Sequence, residues 1–92
     1  MRPRNHQAIA VLSSWTRSPP ASRFVSLAAF VPGRPKWSLV IEPLASTLEG
    51  DIEAVVEFLV EEAPHYYLTP GVVFFLHEGI KVVAEGVITE PM

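Results

Sequence analysis

Nine prolines and five glycines are scattered through 92 residues, and they cut the apolar sequence into short runs. Proline has no backbone N–H to give a hydrogen-bond ladder, and glycine accepts positive φ, so together they imply many turns. The runs between them are QAIAVLSSW (7–15), RFVSLAAFV (23–31), KWSLVIE (36–42), DIEAVVEFLVEEA (51–63), VVFFLHE (72–78) and IKVVAEGVITE (80–90). RSPPAS (17–22), PGRP (32–35) and HYYLTPG (65–71) are among the breaks. Short strand-like runs at near-regular spacing, with turn signals between them, predict a closed or sandwiched all-β domain.

Individual runs say more. KWSLVIE alternates Trp37, Leu39 and Ile41 against Lys36, Ser38, Val40 and Glu42, the pattern of a half-buried strand. RFVSLAAFV is apolar at both parities, as expected of a strand covered on both sides. Gly33 and Gly79 sit where turns need positive φ, and Glu78-Gly79 predicts a tight hairpin between the last two runs. Residues 51–63 fit two templates. As a strand they turn Ile52, Ala54, Val56, Phe58 and Val60 inward, with Asp51, Glu53, Glu57 and Glu61 outward. As a helix they form a stripe of Ile52, Val55, Val56, Leu59, Val60 and Ala63, capped by Asp51 and ended by Pro64. Periodicity does not separate the two.

Composition bounds the rest. With 49% apolar and 18% charged residues the chain is globular, and at 92 residues it makes one domain. A chain of this size buries only about 60–65% of the surface exposed on unfolding, so its core is thin. Without cysteine there are no disulfides and no thiolate metal site, which is compatible with a reducing, cytoplasmic location. No apolar run approaches the roughly 18–20 residues of a membrane-spanning helix, so no membrane association is expected. Met1-Arg2-Pro3-Arg4 begins like the basic end of a leader, but HQAIAVLSSW is too short and interrupted to continue one. Residues 1–6 are expected to form a flexible arm and residues 7–90 the single domain.

PGVVFFLHEGIKVVAEGVITE (70–90) resembles the closing hairpin of the third, C-terminal domain of elongation factor Tu and related translation GTPases. In that family an acidic-Gly turn is followed by a basic residue, valine-like positions, a small residue, a glycine and more β-branched residues. Glu78, Gly79, Lys81, Val83, Ala84, Gly86 and Val87 occur in that order. GDIEAVVEFLVEEAP is similar to the family's Gly-Asp turn and long valine-rich strand, and GRPKWSLVIE to its Arg-Pro-aromatic strand start. QAIAVLSSW falls where the first barrel strand lies. The resemblance covers residues 7–90 and implies a six-stranded antiparallel Greek-key barrel, with 51–63 a strand. It also implies that Gly86 supplies the bend that lets the last strand close the barrel, with Glu85 pointing to water. PLASTLEG is shorter than the corresponding family segment. No GxxxxGK[ST] phosphate loop occurs, so nucleotide binding is not expected.

No constellation points to catalysis or to a cofactor. His6, His65 and His77 are scattered and belong to no metal motif. The serines lack a GxSxG context, and adjacent carboxylates such as Glu61-Glu62 face opposite ways on a strand. The chain is therefore expected not to be an enzyme. Binding remains, and two residue sets compete for it. Glu53, Glu57 and Glu61 make an acidic stripe, and Tyr66 and Tyr67 are aromatic anchors of the kind that dominate protein interfaces; together they predict another protein, or a second copy, as partner. Arg17, Arg23, Arg34, Lys36 and Lys81 form the alternative set, for RNA phosphates. Arg17 and Lys81 stand where the elongation-factor domain touches the tRNA backbone, although Arg17-Ser18-Pro19-Pro20 departs from that family's Gly-rich basic loop. The charge division is sharp. Six bases and no acid precede Glu42, and from there ten acids stand against Lys81 alone. Such asymmetry marks either a partner surface or two halves that neutralise each other across strands.

Overall fold

The computed structural model describes residues 6–47 and 49–91. The arm expected over residues 1–6 therefore lies outside the described residues, except for His6. Six strands form: β1 (Gln7–Ser13), β2 (Phe24–Ala29), β3 (Trp37–Ser46), β4 (Ile52–Phe58), β5 (Val73–Glu78) and β6 (Lys81–Pro91). A 3₁₀ turn, His65–Tyr67, lies between β4 and β5. The strands close into a barrel in the order β1-β4-β3-β2-β5-β6, with β6 paired back onto β1 and every pair antiparallel. β2–β3, β3–β4 and β5–β6 are hairpins, while β1 lies beside β4, a Greek-key connection. No helix among the described residues is long and apolar enough to cross a membrane.

Period-two patterning explains which side chains enter the core. Ala8, Ala10 and Leu12 of β1 and Ile52, Ala54, Val56 and Phe58 of β4 are all buried. A six-stranded barrel is narrow, so large and small inward residues must be interleaved to fill it. Here Ala8, Ala10, Ala28, Ala54 and Ala84 leave room for Phe58, Phe74, Leu39 and Leu76. Aromatics plug both mouths. Trp15 packs against Phe24 at one, and Phe30, Trp37, Phe58 and Tyr67 gather at the other.

The ambiguity at 51–63 resolves as a strand, but a shorter one than expected. β4 stops at Phe58, and Val60, expected inward, is exposed. Leu59 N–H still donates to Ser38 O (3.0 Å); beyond it the chain turns, with Ala63 N–H bonded to Val60 O and His65 N–H to Ala63 O. β3 is longer than its sequence run, reaching Ser46 through a register shift between Pro43 and Ala45. Proline cannot donate to the ladder, so a bulge there lets pairing resume.

One further expectation changes, and Gly86 acquires a second role. β2 was expected to be covered on both sides, yet its outer residues Val25 and Leu27 are exposed. In a closed barrel each strand has one face on the core, and nothing among the described residues packs over the other face of β2. Gly86, expected to provide a bend, lies opposite Phe74, and a Cβ built on it would stand 2.7 Å from Cε1 of that ring and nearer still to Cζ and Cε2. Gly86 is the seat of the Phe74 ring. The register irregularity in this hairpin falls at Leu76/His77 instead. Glu85 is exposed, as its parity requires.

Candidate binding surface

At the mouth where β2 ends and β3 begins, Pro32 to Pro35 form a turn. Gly33 takes φ 78°, and Arg34 N–H closes the turn on Val31 O (3.1 Å). Opposite this turn stands the 61–69 segment. His65 Nε2–H donates to Glu61 O (2.9 Å), and Thr69 Oγ1 donates to Tyr66 O (2.6 Å). These bonds hold Tyr67 stacked on Phe30 with ring centroids 5.2 Å apart, while Tyr66, 75% exposed, leans edge-on against Tyr67. Arg34, Trp37, Glu62, Tyr66 and Tyr67 line the resulting pocket of about 560 Å³. Tyr66, Tyr67 and Arg34, drawn from both sequence-derived sets, thus meet in one place.

The remaining candidates do not join them. Glu53 is exposed on the outer face of β4, and Glu57 is half-buried on the same face. Their cross-strand neighbours are Val11 and Ala45 for Glu53, and Gln7 and Val40 for Glu57, so among the described residues no base faces either of these two carboxylates in the register. Glu61 lies beyond the strand, in the turn that precedes Tyr66. The bases fall into two groups. Arg17 pairs with Glu78 (2.7 Å) and lies over Trp15, 5.8 Å from the ring centroid. Lys81 faces Glu78 across the hairpin, and Arg23 immediately precedes β2. Arg34 and Lys36 lie at the opposite end of β2, about 20 Å away at ~3.3 Å per residue.

Sequence reasoning missed the outer face of β2, β5 and β6. Val25, Leu27, Val73, Phe75 and Val82 point outward there and remain 40–54% exposed. The registers join them. Leu27 pairs with His77, His77 with Val82, Ala29 with Phe75, and Val73 with Val87. Diagonal neighbours in such a grid lie about 7–8 Å apart, within reach of one another's side chains. The signal is present in the sequence as runs apolar at both parities: RFVSLAAFV, which predicts a strand covered on both sides, and VVFFL in the closing hairpin. Among the described residues no group of three or more His, Asp or Glu side chains is placed to hold a metal ion. Comparison with models of known protein families, with curated proteins and with solved structures finds no match.

Proposed function

We propose that this chain is a non-catalytic binding module that docks on another protein through the outer face of β2, β5 and β6. The observation that carries the reading is the apolar face itself. Five large apolar side chains on three adjacent strands are left 40–54% exposed, a patch of roughly a few hundred Å². Each strand of the closed barrel is paired on both sides, and only short stretches of β2 and β5 lie beyond their mutual pairing, so a partner has little unpaired strand to extend and is recognised face-on, by side chains. The pocket of Arg34, Trp37, Tyr66 and Tyr67 adds the residue types that most often anchor interfaces. The proposal extends to kinship. The six-stranded barrel is the architecture that the likeness to the third domain of elongation factor Tu implies, and the module acts in the cytoplasm without binding nucleotide. Translation as its setting rests on that likeness alone. Division of the bases between the two ends of β2, with Arg17 held by Glu78, argues against a continuous phosphate track.

The test is capture from the protein's own cell lysate, split so that nuclease treats one half, with the intact chain compared with a Val25→Ser, Leu27→Ser variant. A partner protein indifferent to nuclease and lost with the variant is expected. Capture unchanged by the substitutions overturns the docking face. Material lost to nuclease instead establishes the RNA alternative. Sedimentation of the purified chain distinguishes a second copy from a different protein.

A further inference from the structure

Where β2 runs into the Pro32–Pro35 turn, the outer face dips. Trp37 pairs with Ala28, so Lys36 falls beside Ala29, and Ala29 pairs with Phe75. Ala29 carries only a methyl group between those two long side chains, and it forms the floor of a notch of about 280 Å³. Val31 and Phe75 wall the notch, His77 stands beside Phe75, and Arg34 and Lys36 are at its rim. That volume is below the roughly 300–1,000 Å³ of sites that enclose whole small-molecule ligands, and it suits one large apolar side chain. The charge at the rim is of one sign. No acid lines the notch; the nearest in the register is Glu85, which faces Phe75 from its far side on β6. Among the described residues neither Arg34 nor Lys36 has an ion-pair partner.

An apolar hole beside two unneutralised cations is complementary to an apolar side chain flanked by carboxylates. We infer that this notch is the specificity pocket of the docking face, and that it takes a Leu or Phe of a partner segment in which acidic residues adjoin the apolar one. The inference rests on the docking reading above and adds the chemistry of the partner. Arg34 lines both this notch and the Trp37–Tyr66–Tyr67 pocket, so a segment leaving the notch passes over its guanidinium toward the aromatics. A guanidinium suits that position, since its planar fork binds carboxylate in two-point fashion and stacks on aromatic faces. The adjoining Leu27 and Val73 supply apolar contact, and the cations supply orientation and a faster encounter.

The probe is the capped peptide Glu-Glu-Leu-Phe-Glu-Glu, titrated into the isotope-labelled full chain and followed by amide chemical shifts. Saturable shifts at Ala29, Val31, Gly33 and Phe75 are expected, weakening as salt rises. A peptide with Lys in place of Glu, or Ser in place of Leu-Phe, is expected to bind about tenfold more weakly or less. Ala29→Leu, which fills the notch, removes the shifts. Arg34→Glu, on an exposed turn that leaves the barrel intact, does the same independently should Ala29→Leu perturb folding. Equal binding by the Lys peptide, binding that survives both substitutions, or no shift with any peptide at millimolar concentration overturns the inference. A single-stranded RNA oligonucleotide that moves the same amides also overturns it, in favour of phosphate recognition. Shifts confined to Val25, Leu27 and Val82 sink the notch and leave the docking face standing. Lysate capture indifferent to the Val25→Ser, Leu27→Ser variant sinks the face whatever the peptide does.

Discussion

Gly86→Ala adds one methyl group, and the barrel has no place for it. Carbon atoms in contact prefer about 3.5–4.0 Å, whereas the new Cβ would meet Cε1 of Phe74 at 2.7 Å. The ring would have to retreat by roughly 1 Å or more. It has nowhere to go, because Phe74 is fully buried and Phe30 lies against it with centroids 5.1 Å apart. Overpacking of this kind costs about 1–3 kcal/mol. The loss of glycine's freedom in the unfolded chain returns about 0.4–1 kcal/mol. A net destabilisation of about 1–2 kcal/mol follows, which for a domain of this size lowers the melting temperature by roughly 5–15 °C. Urea unfolding with a constant m-value would measure it. The cause is then isolated by repeating Gly86→Ala in a Phe74→Leu background. Phe74→Leu is itself destabilising, but it removes the obstructing ring, so the alanine should there be neutral or stabilising. Equal cost in both backgrounds would refute the seat. So would a neutral effect of Gly86→Ala in the otherwise unchanged chain.

Four other substitutions probe the surface, the aromatic plug and the turns. Tyr66→Ala should change stability by less than about 0.5 kcal/mol, while Tyr67→Ala, which unstacks Phe30, should cost about 1–3 kcal/mol; equal costs by chemical denaturation would contradict the assignment of Tyr67 to the plug. Arg17→Ala should cost about 0.5–1 kcal/mol from the exposed Glu78 pair and the Trp15 contact together, and the ion-pair part should fade at high salt, whereas a loss above 2 kcal/mol would mean the pair is buried. Ser14, the one described residue other than glycine at positive φ (56°), should tolerate glycine with a gain of about 0.5 kcal/mol, since left-handed backbone costs an L-residue about 1–2 kcal/mol and glycine gives part of that back in entropy; a lower melting temperature for Ser14→Gly would refute this.

Features that depend only on neighbours along the chain were legible in the sequence. Alternation in QAIAVLS and IEAVVEF states which side chains share a face. Gly33 and Gly79 state where the chain can turn back, since both take the positive φ that their turns require. Pairing across the barrel decided the rest, because a strand's period says nothing about what lies beside it. β4 is a strand because β3 flanks it from Ile52 to Phe58 and β1 from Ile52 to Glu57, and it ends there because its bonding to β3 ends at Leu59. Gly86 reads from sequence as a flexible break; only the register that sets it against Phe74 shows a space that must stay empty. The surface was least accessible to sequence reasoning. Runs apolar at both parities report two apolar faces, but closure of β6 onto β1 leaves the outer one bare. The pocket joins Arg34 and Trp37 to Tyr66 and Tyr67 from segments about thirty residues apart, a meeting that only the β2–β3 hairpin and the turn after β4 bring about.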